Sequence, residues 1–208
     1  MILNIEGRIE TDTVNKVAEA MNQCSVSGQE LDIYVSSLGG DLCATEALLC
    51  MIKKYGQDHC ITLFGYGQLQ SCAFELFFLS DCAKHLVGGV VGMYHLASTE
   101  VALNEKGLPA YQYGTAQKQF ITGYVKKRTL EVCERMGMTA KEKAYIQRGN
   151  DQFFMPDRMD DFLRFQKEQI GARMNAFHSE SYIVEAYGVR TEVKVDERLQ
   201  THKSNTPF

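Results

Sequence analysis

Ser71, His95 and Asp151 are the residues of this chain whose types could together activate a carbonyl. Ser71 follows the strand-like run Cys60–Phe64 and the turn residues Gly65 and Gly67, and it stands directly before the apolar stretch Cys72–Leu79. The first amides of a helix have no partner within it, and the helix dipole there favours negative charge. An oxyanion forming beside Ser71 would therefore meet the amide of Cys72 already aimed at it. The plain alternative is that Ser71 caps the helix. His95 lies 24 residues further on and closes an apolar stretch between Tyr94 and Leu96. Its imidazole could be held there as a rigid general base, or it could be a satisfied rim histidine. Asp151 follows Gly149-Asn150 in a turn. An aspartate in that setting commonly bonds its own backbone, but it could also orient an imidazole.

Other chemistries fail on spacing. Leu69 and Ala73 occupy the glycine positions of a Gly-x-Ser-x-Gly elbow around Ser71. Gly65-Tyr-Gly67-Gln-Leu-Gln70 lacks the third glycine that a dinucleotide fingerprint needs for close helix–sheet packing. No His-Glu-x-x-His or paired-histidine spacing suggests a metal, and no cofactor is expected. His59, His85 and His202 sit beside charged or polar surface signals, and His178 lies late in a helical stretch.

The positioning elements read as an alternation. Ile2–Arg8 is strand-like, and Thr11 or Asp12 can cap a helix bearing Val14, Val17, Ala18 and Met21. Leu31–Val35 forms a second strand running into Ser36-Ser-Leu-Gly-Gly40, and Asp41 opens a second helix that Tyr55-Gly56 stops. The third strand, Cys60–Phe64, leads to Ser71 and the third helix. Strand–helix alternation of this kind argues a parallel sheet with crossover helices. Ligand groups gather beyond the carboxyl ends of such strands, so Gly39-Gly40 and Ser71 are expected on one rim. Two short strands follow, Ala83–Val87 and Val90–Leu96, on either side of Gly88-Gly89. Residues 98–114 read as a looser extended segment, and a long helix is expected from about Thr115 to Met136. Thr139 caps a short helix, Gln152–Pro156 is extended, and residues 157 to about 177 have helical spacing. Tyr182–Val184 and Thr191–Val195 alternate as two short strands before a polar tail.

With 208 residues, no internal repeat and no low-complexity linker, a single domain is expected over 1–208. A net charge of −4 without a basic run gives no reason to expect nucleic acid. No apolar run is long enough to span a membrane, and the first residues lack the pattern of a secretory signal. The seven cysteines are odd in number and form no Cys-x-x-Cys, so they read as buried thiols in a reducing, cytoplasmic compartment.

Taken together, these segments resemble the proteolytic subunit of the Clp protease. Leu31-Asp-Ile-Tyr-Val-Ser-Ser-Leu-Gly-Gly-Asp41 is similar to that family's glycine-pair stretch. Phe64-Gly-Tyr-Gly-Gln-Leu-Gln-Ser71-Cys-Ala-Phe resembles its nucleophile turn, and Val91-Gly-Met-Tyr-His95 the strand ending in its catalytic histidine. Asn150-Asp151-Gln-Phe-Phe-Met is similar to the stretch carrying its aspartate. The resemblance runs from residue 2 to about 156 and leaves 157–208 as an extension of unassigned role. It implies an α/β chain of the ClpP/crotonase-like class, with repeated β-β-α and βαβ units and a handle helix over about 115–136. It also implies a serine endopeptidase in which Ser71 attacks, His95 moves the proton and Asp151 holds the tautomer. The amides of Gly40 and Cys72 would bind the oxyanion. Substrates would be peptides or unfolded proteins, enclosed in a homo-oligomeric ring.

Departures from the family pattern bear on partners. Leu38 replaces the family's proline, Phe74 stands where a small residue is usual, and extra residues occur around Gly107 to Tyr113. The chain starts at the family's first core strand, without the axial loops that engage an ATP-driven unfoldase, so no such partner is assigned. Two other functions fit the same sequence. One is a catalytically inactive ClpP-like subunit that forms or scaffolds a ring. The other is an acyl-CoA enzyme of the related crotonase fold, for which Glu75 is the convenient acid–base residue.

Overall fold

A computed structural model describes residues 1–96, 115–179, 182–186 and 189–193. The expected extended segment 98–114, with its extra residues around Gly107 to Tyr113, lies outside the described residues. The chain divides into two compact units, Met1–Phe165 and Gln166–Phe208.

In the first unit, β1 (Ile2–Ile9), α1 (Thr11–Ser27), β2 (Leu31–Gly40), α2 (Leu42–Tyr55), β3 (Ile61–Gln70), α3 (Cys72–Leu79) and β4 (Ala83–Tyr94) alternate as the sequence suggests. They are followed by α4 (Thr115–Arg135), α5 (Ala140–Gln147), β5 (Gln152–Phe154) and the start of α6 (Pro156–Ser179). The five-stranded sheet has the order β1-β2-β3-β4-β5. β1 to β4 run parallel, and β5 pairs antiparallel with β4. Because each crossover steps to the next strand in the same direction with the same hand, the helices collect on one face. On that face Leu31, Ile33, Val35, Leu63 and Leu69 are fully buried. The alternate residues Tyr34 and Phe64 are half-buried on the other face, where their rings stack at 4.6 Å and Phe64 meets exposed His85 at 5.4 Å. In the second unit, β6 (Tyr182–Ala186) and β7 (Val189–Val193) form an antiparallel pair.

Every residue of α3 is buried, which is why Cys72–Leu79 is apolar on every side except at Glu75 rather than striped. Phe74, Phe77 and Phe78 lose all their exposure. Each such burial contributes about 1.5–3 kcal/mol. Phe74, the bulky departure from the family pattern, stacks on Tyr94 at 5.4 Å and Phe154 at 5.6 Å. It thereby ties the Ser71 helix to the two strands that flank His95 and Asp151.

Four local expectations are corrected. β3 does not stop at Phe64 but continues to Gln70, and Ala83–Val87 with Val90–Leu96 is one strand, β4, ending at Tyr94. The glycines that suggested strand ends instead accompany register shifts: Gly67 and Gly88 have φ of 57° and 71°, and pairing resumes beyond them. A bulge bends a strand without terminating it. The cap of α1 is Glu10, whose side chain forms a reciprocal box with Thr13, rather than Thr11 or Asp12. Finally, the seven cysteines are free, but Cys43, Cys50 and Cys60 are exposed rather than buried. Cys43 and Cys50 share the outer face of α2, seven residues apart in a helix of 3.6 residues per turn.

The stretch that carries Asp151 is fixed by a charged clip. Thr139 and Glu142 form a capping box at the start of α5, with the Thr139 amide donating to Glu142 Oε2 at 2.6 Å. Arg158 on α6 donates to both oxygens of the same carboxylate, at 3.0 and 2.8 Å. Burial pushes the Glu142 carboxyl up, but the bonds from Arg158 and Thr139 outweigh it and hold it below the usual range. The ionised carboxylate therefore contributes stability above the unfolded-state pKa, and that contribution is lost as pH falls through the depressed folded value. Glu142→Gln should cost about 1–3 kcal/mol near neutrality. Urea unfolding at neutral and acidic pH checks this: the gap between variant and wild type should close in acid, and a constant gap would assign the loss to packing.

Candidate active site

Ser71 occupies the junction between β3 and α3 with φ 49° and ψ −120°, and its side chain makes no capping hydrogen bond. It is the one non-glycine residue with positive φ among the described residues. Such a conformation costs on the order of 1–3 kcal/mol and persists only when the surroundings impose it. Here the surroundings are backbone bonds on both sides. The Ser71 amide donates to Met93 O at 2.8 Å, and the Glu75 amide to Ser71 O at 3.2 Å. The hydroxyl is left free to point off the helix start rather than back into it.

Room for this turn comes from Gly39, not from glycines flanking the serine. A Cβ at Gly39 would sit 2.7 Å from Ser71 Cβ, 2.9 Å from Gln70 O and 3.0 Å from Cys72 N. Gly39 itself has φ 103° and donates its amide to Ser37 Oγ at 3.0 Å. The broken Gly-x-Ser-x-Gly pattern around Ser71 is thus compensated from the neighbouring strand.

Sheet geometry brings the other candidates to the serine. β3 and β4 are in register at Gln70 and Met93, so Ser71, one residue further on, and His95, two residues further on, emerge on the same rim. Ser71 Oγ lies 2.7 Å from His95 Nε2. The antiparallel pairing of Tyr94 with Gln152 sets the start of β5 beside the end of β4, and His95 Nδ1 lies 3.2 Å from Asp151 Oδ1. A carboxylate only accepts, so the proton on the ring belongs at Nδ1 and the Nε2 lone pair faces the Ser71 hydroxyl. The imidazole is largely covered, whereas Asp151 is 55% exposed.

Gly40 and Cys72 also meet here. Cys72 Sγ donates to Gly40 O at 3.3 Å. Gly40 pairs with Ile9, and the neighbouring Asp41 amide makes the bond to Ile9 O. A Cβ on Gly40 would collide with the Ile9 backbone. Burial, opposed by neighbouring hydrogen bonds, raises the Cys72 thiol pKa and keeps it protonated.

The acid–base residue of the crotonase alternative is elsewhere occupied. Glu75 is 4% exposed, accepts from Tyr94 Oη at 2.8 Å and from Arg128 Nε at 3.1 Å, and faces the core. Burial raises its pKa, with Tyr94 and Arg128 pulling the other way. Sequence reasoning missed this cluster and the role of Gly39. The signal for the first was a lone acid in an apolar helix, which demands a partner. For the second it was two adjacent glycines, of which one lies against Ser71 and the other against β1.

No protein-family model and no curated protein sequence matches the chain. Among solved structures, it is similar to an asparagine-to-aspartate mutant of ClpP1 from Listeria monocytogenes. The TM-score is 0.57 and the sequence identity 16%, over 77% of this chain and 86% of that one. The fold is accordingly ClpP-like, a mixed α/β architecture. No helix among the described residues is long and apolar enough to cross a membrane.

Gly39→Ala tests the support of the serine. It should lower stability by about 1–3 kcal/mol, the scale of a forced backbone outlier. A structure of the variant should show Ser71 Oγ out of hydrogen-bond reach of His95. An unmoved hydroxyl would mean that the close approach of Gly39 does not seat it.

Proposed function

We propose that this chain is a ClpP-like serine endopeptidase acting on peptides or unfolded protein segments. The supporting observation is the continuous line from Ser71 Oγ to His95 Nε2 and from His95 Nδ1 to Asp151, beside a serine held at positive φ. In this reading His95 takes the Ser71 proton as Oγ attacks the peptide carbonyl, and Asp151 stabilises the imidazolium that forms. The same proton passes to the leaving amine, and water then attacks the acyl-enzyme by the reverse sequence. The amides of Gly40 and Cys72 bind the developing oxyanion, one from the end of β2 and one from the first turn of α3. No cofactor or metal is needed for these steps.

Assembly belongs to the same proposal. The sheet face opposite the helices carries the Tyr34–Phe64 stack, and at its margins Ile2, Leu38 and Val87 are exposed. A second copy of the chain would cover such a face in a homo-oligomeric ring, with α4 as the handle between rings. Phe64→Glu should then shift the sedimentation coefficient to that of a smaller species, and an unchanged value would remove this face from the assembly.

The chemical test is covalent. A fluorophosphonate should label wild-type protein at Ser71 and fail to label Ser71→Ala. Hydrolysis of a fluorogenic peptide should fall by about 10⁴-fold or more in His95→Ala, the scale on which triads lose turnover. Labelling that survives in Ser71→Ala, or a purified protein inert towards both reagents, would leave the inactive ring-forming subunit as the better description.

A further inference from the structure

The Glu75 cluster joins the same two segments that the Ser71–His95 contact joins. Glu75 lies one helical turn beyond Ser71, and its amide closes that turn on Ser71 O at 3.2 Å. Tyr94 is the residue immediately before His95, and its hydroxyl donates to Glu75 Oε1 at 2.8 Å. A second strut therefore runs from the start of α3 to the end of β4, parallel to the contact between the hydroxyl and the imidazole. Its other end leaves the site. Glu75 Oε2 accepts from Arg128 Nε on α4 at 3.1 Å, and Arg128 Nη2 lies 2.6 Å from Glu46 Oε1 on α2. Tyr124, also on α4, donates to the same Glu46 oxygen at 2.8 Å.

Burying a carboxylate without a cation is strongly unfavourable, and removing one partner of a buried pair leaves that cost exposed. With Arg128 absent, Glu75 would have to turn towards water or take up a proton, and either changes its bond with Tyr94. We propose that Arg128, Glu75 and Tyr94 form a positioning relay through which the docking of α4 sets the alignment of His95 with Ser71. None of the three is a catalytic residue. They act through the backbone on either side of the pair, and the proposal rests on the Ser–His reading of the site.

The test uses Tyr94→Phe, which removes one hydroxyl and keeps the ring, and Arg128→Ala with and without millimolar guanidinium. Both variants should lower kcat for a fluorogenic peptide by about tenfold to a hundredfold, the effect of a small misplacement of reacting groups. KM should hold, because nothing that binds substrate is removed. Guanidinium should restore kcat in Arg128→Ala and leave wild type unchanged. Wild-type kcat in folded Arg128→Ala, or a loss that guanidinium does not repair while Tyr94→Phe keeps full turnover, would overturn the relay. If wild type itself shows no Ser71-dependent turnover, the peptidase reading fails and the relay is read separately. The His95 ring resonances in ¹⁵N-histidine-labelled protein should then shift in Arg128→Ala and return with guanidinium. Unshifted resonances would overturn the relay on their own.

Discussion

The positive φ of Ser71 is the constraint from which the rest of the site follows. An L-residue enters that region only at a cost, and at the β3–α3 junction the cost is met by contacts that reach across the sheet. Gly39 contributes by having no Cβ, since any side chain there would overlap Ser71 and the Cys72 amide. Met93 contributes a carbonyl that receives the Ser71 amide, and α3 contributes a fully buried apolar body that cannot rotate away. With the backbone so held, the hydroxyl cannot serve as a cap and is turned outwards to the Nε2 of His95. A serine whose sole task was capping would need none of this.

The parallel sheet then determines which residues can join it. β2, β3 and β4 end on one rim, so the glycine pair, the serine and the histidine arrive together without any long-range design beyond the order of the strands. Asp151 reaches the rim by a different route. It precedes an antiparallel strand, and only that direction brings the start of β5, rather than its end, to the end of β4. Phe74 packs beneath all of these, against Tyr94 and Phe154, so the aromatic contact that departs from the family pattern also holds the two flanking strands to the serine helix.

Much of this was legible in the sequence because the governing signals are local. The strand–helix alternation, the Asp41 cap that receives the Ala44 amide at 2.7 Å and the Thr139 capping box follow from residues within a few positions of one another. Convergence of residues 71, 95 and 151 was legible only through resemblance, since no local rule pairs a turn aspartate with a strand-end histidine. The errors share a cause. Gly65, Gly67 and Gly88 suggest strand ends in the sequence, but a glycine stops a strand or bulges it depending on whether the partner strand continues, and that is a tertiary fact. Glu10 does not read as a cap because its box with Thr13 reverses the usual arrangement of hydroxyl and acid. The exposure of Cys43 and Cys50 depended on which side of α2 faces the sheet, which their own residue type does not indicate.

The three residues are anchored to different depths, and that ordering has a physical consequence. α3 has eight residues, too short to be helical by itself, so its existence depends on the core around it. The geometry of Ser71 is for that reason part of the same cooperative unit as the buried sheet, and it should be lost only when the core is lost. His95 is tied to that unit through Tyr94, which is fully buried and bonded to Glu75. Asp151 stands at the mouth of a three-residue edge strand and is more than half exposed. Buried Phe154 ties that strand to the core, but Asp151 itself lies outside it, and the α5–α6 clip through Glu142 and Arg158 closes the stretch that leads to it. Of the two contacts that His95 makes, the one to Ser71 is therefore the more firmly built. The link between His95 and Asp151 is the one that local opening of the α5–β5 region would break first, without disturbing the strained serine.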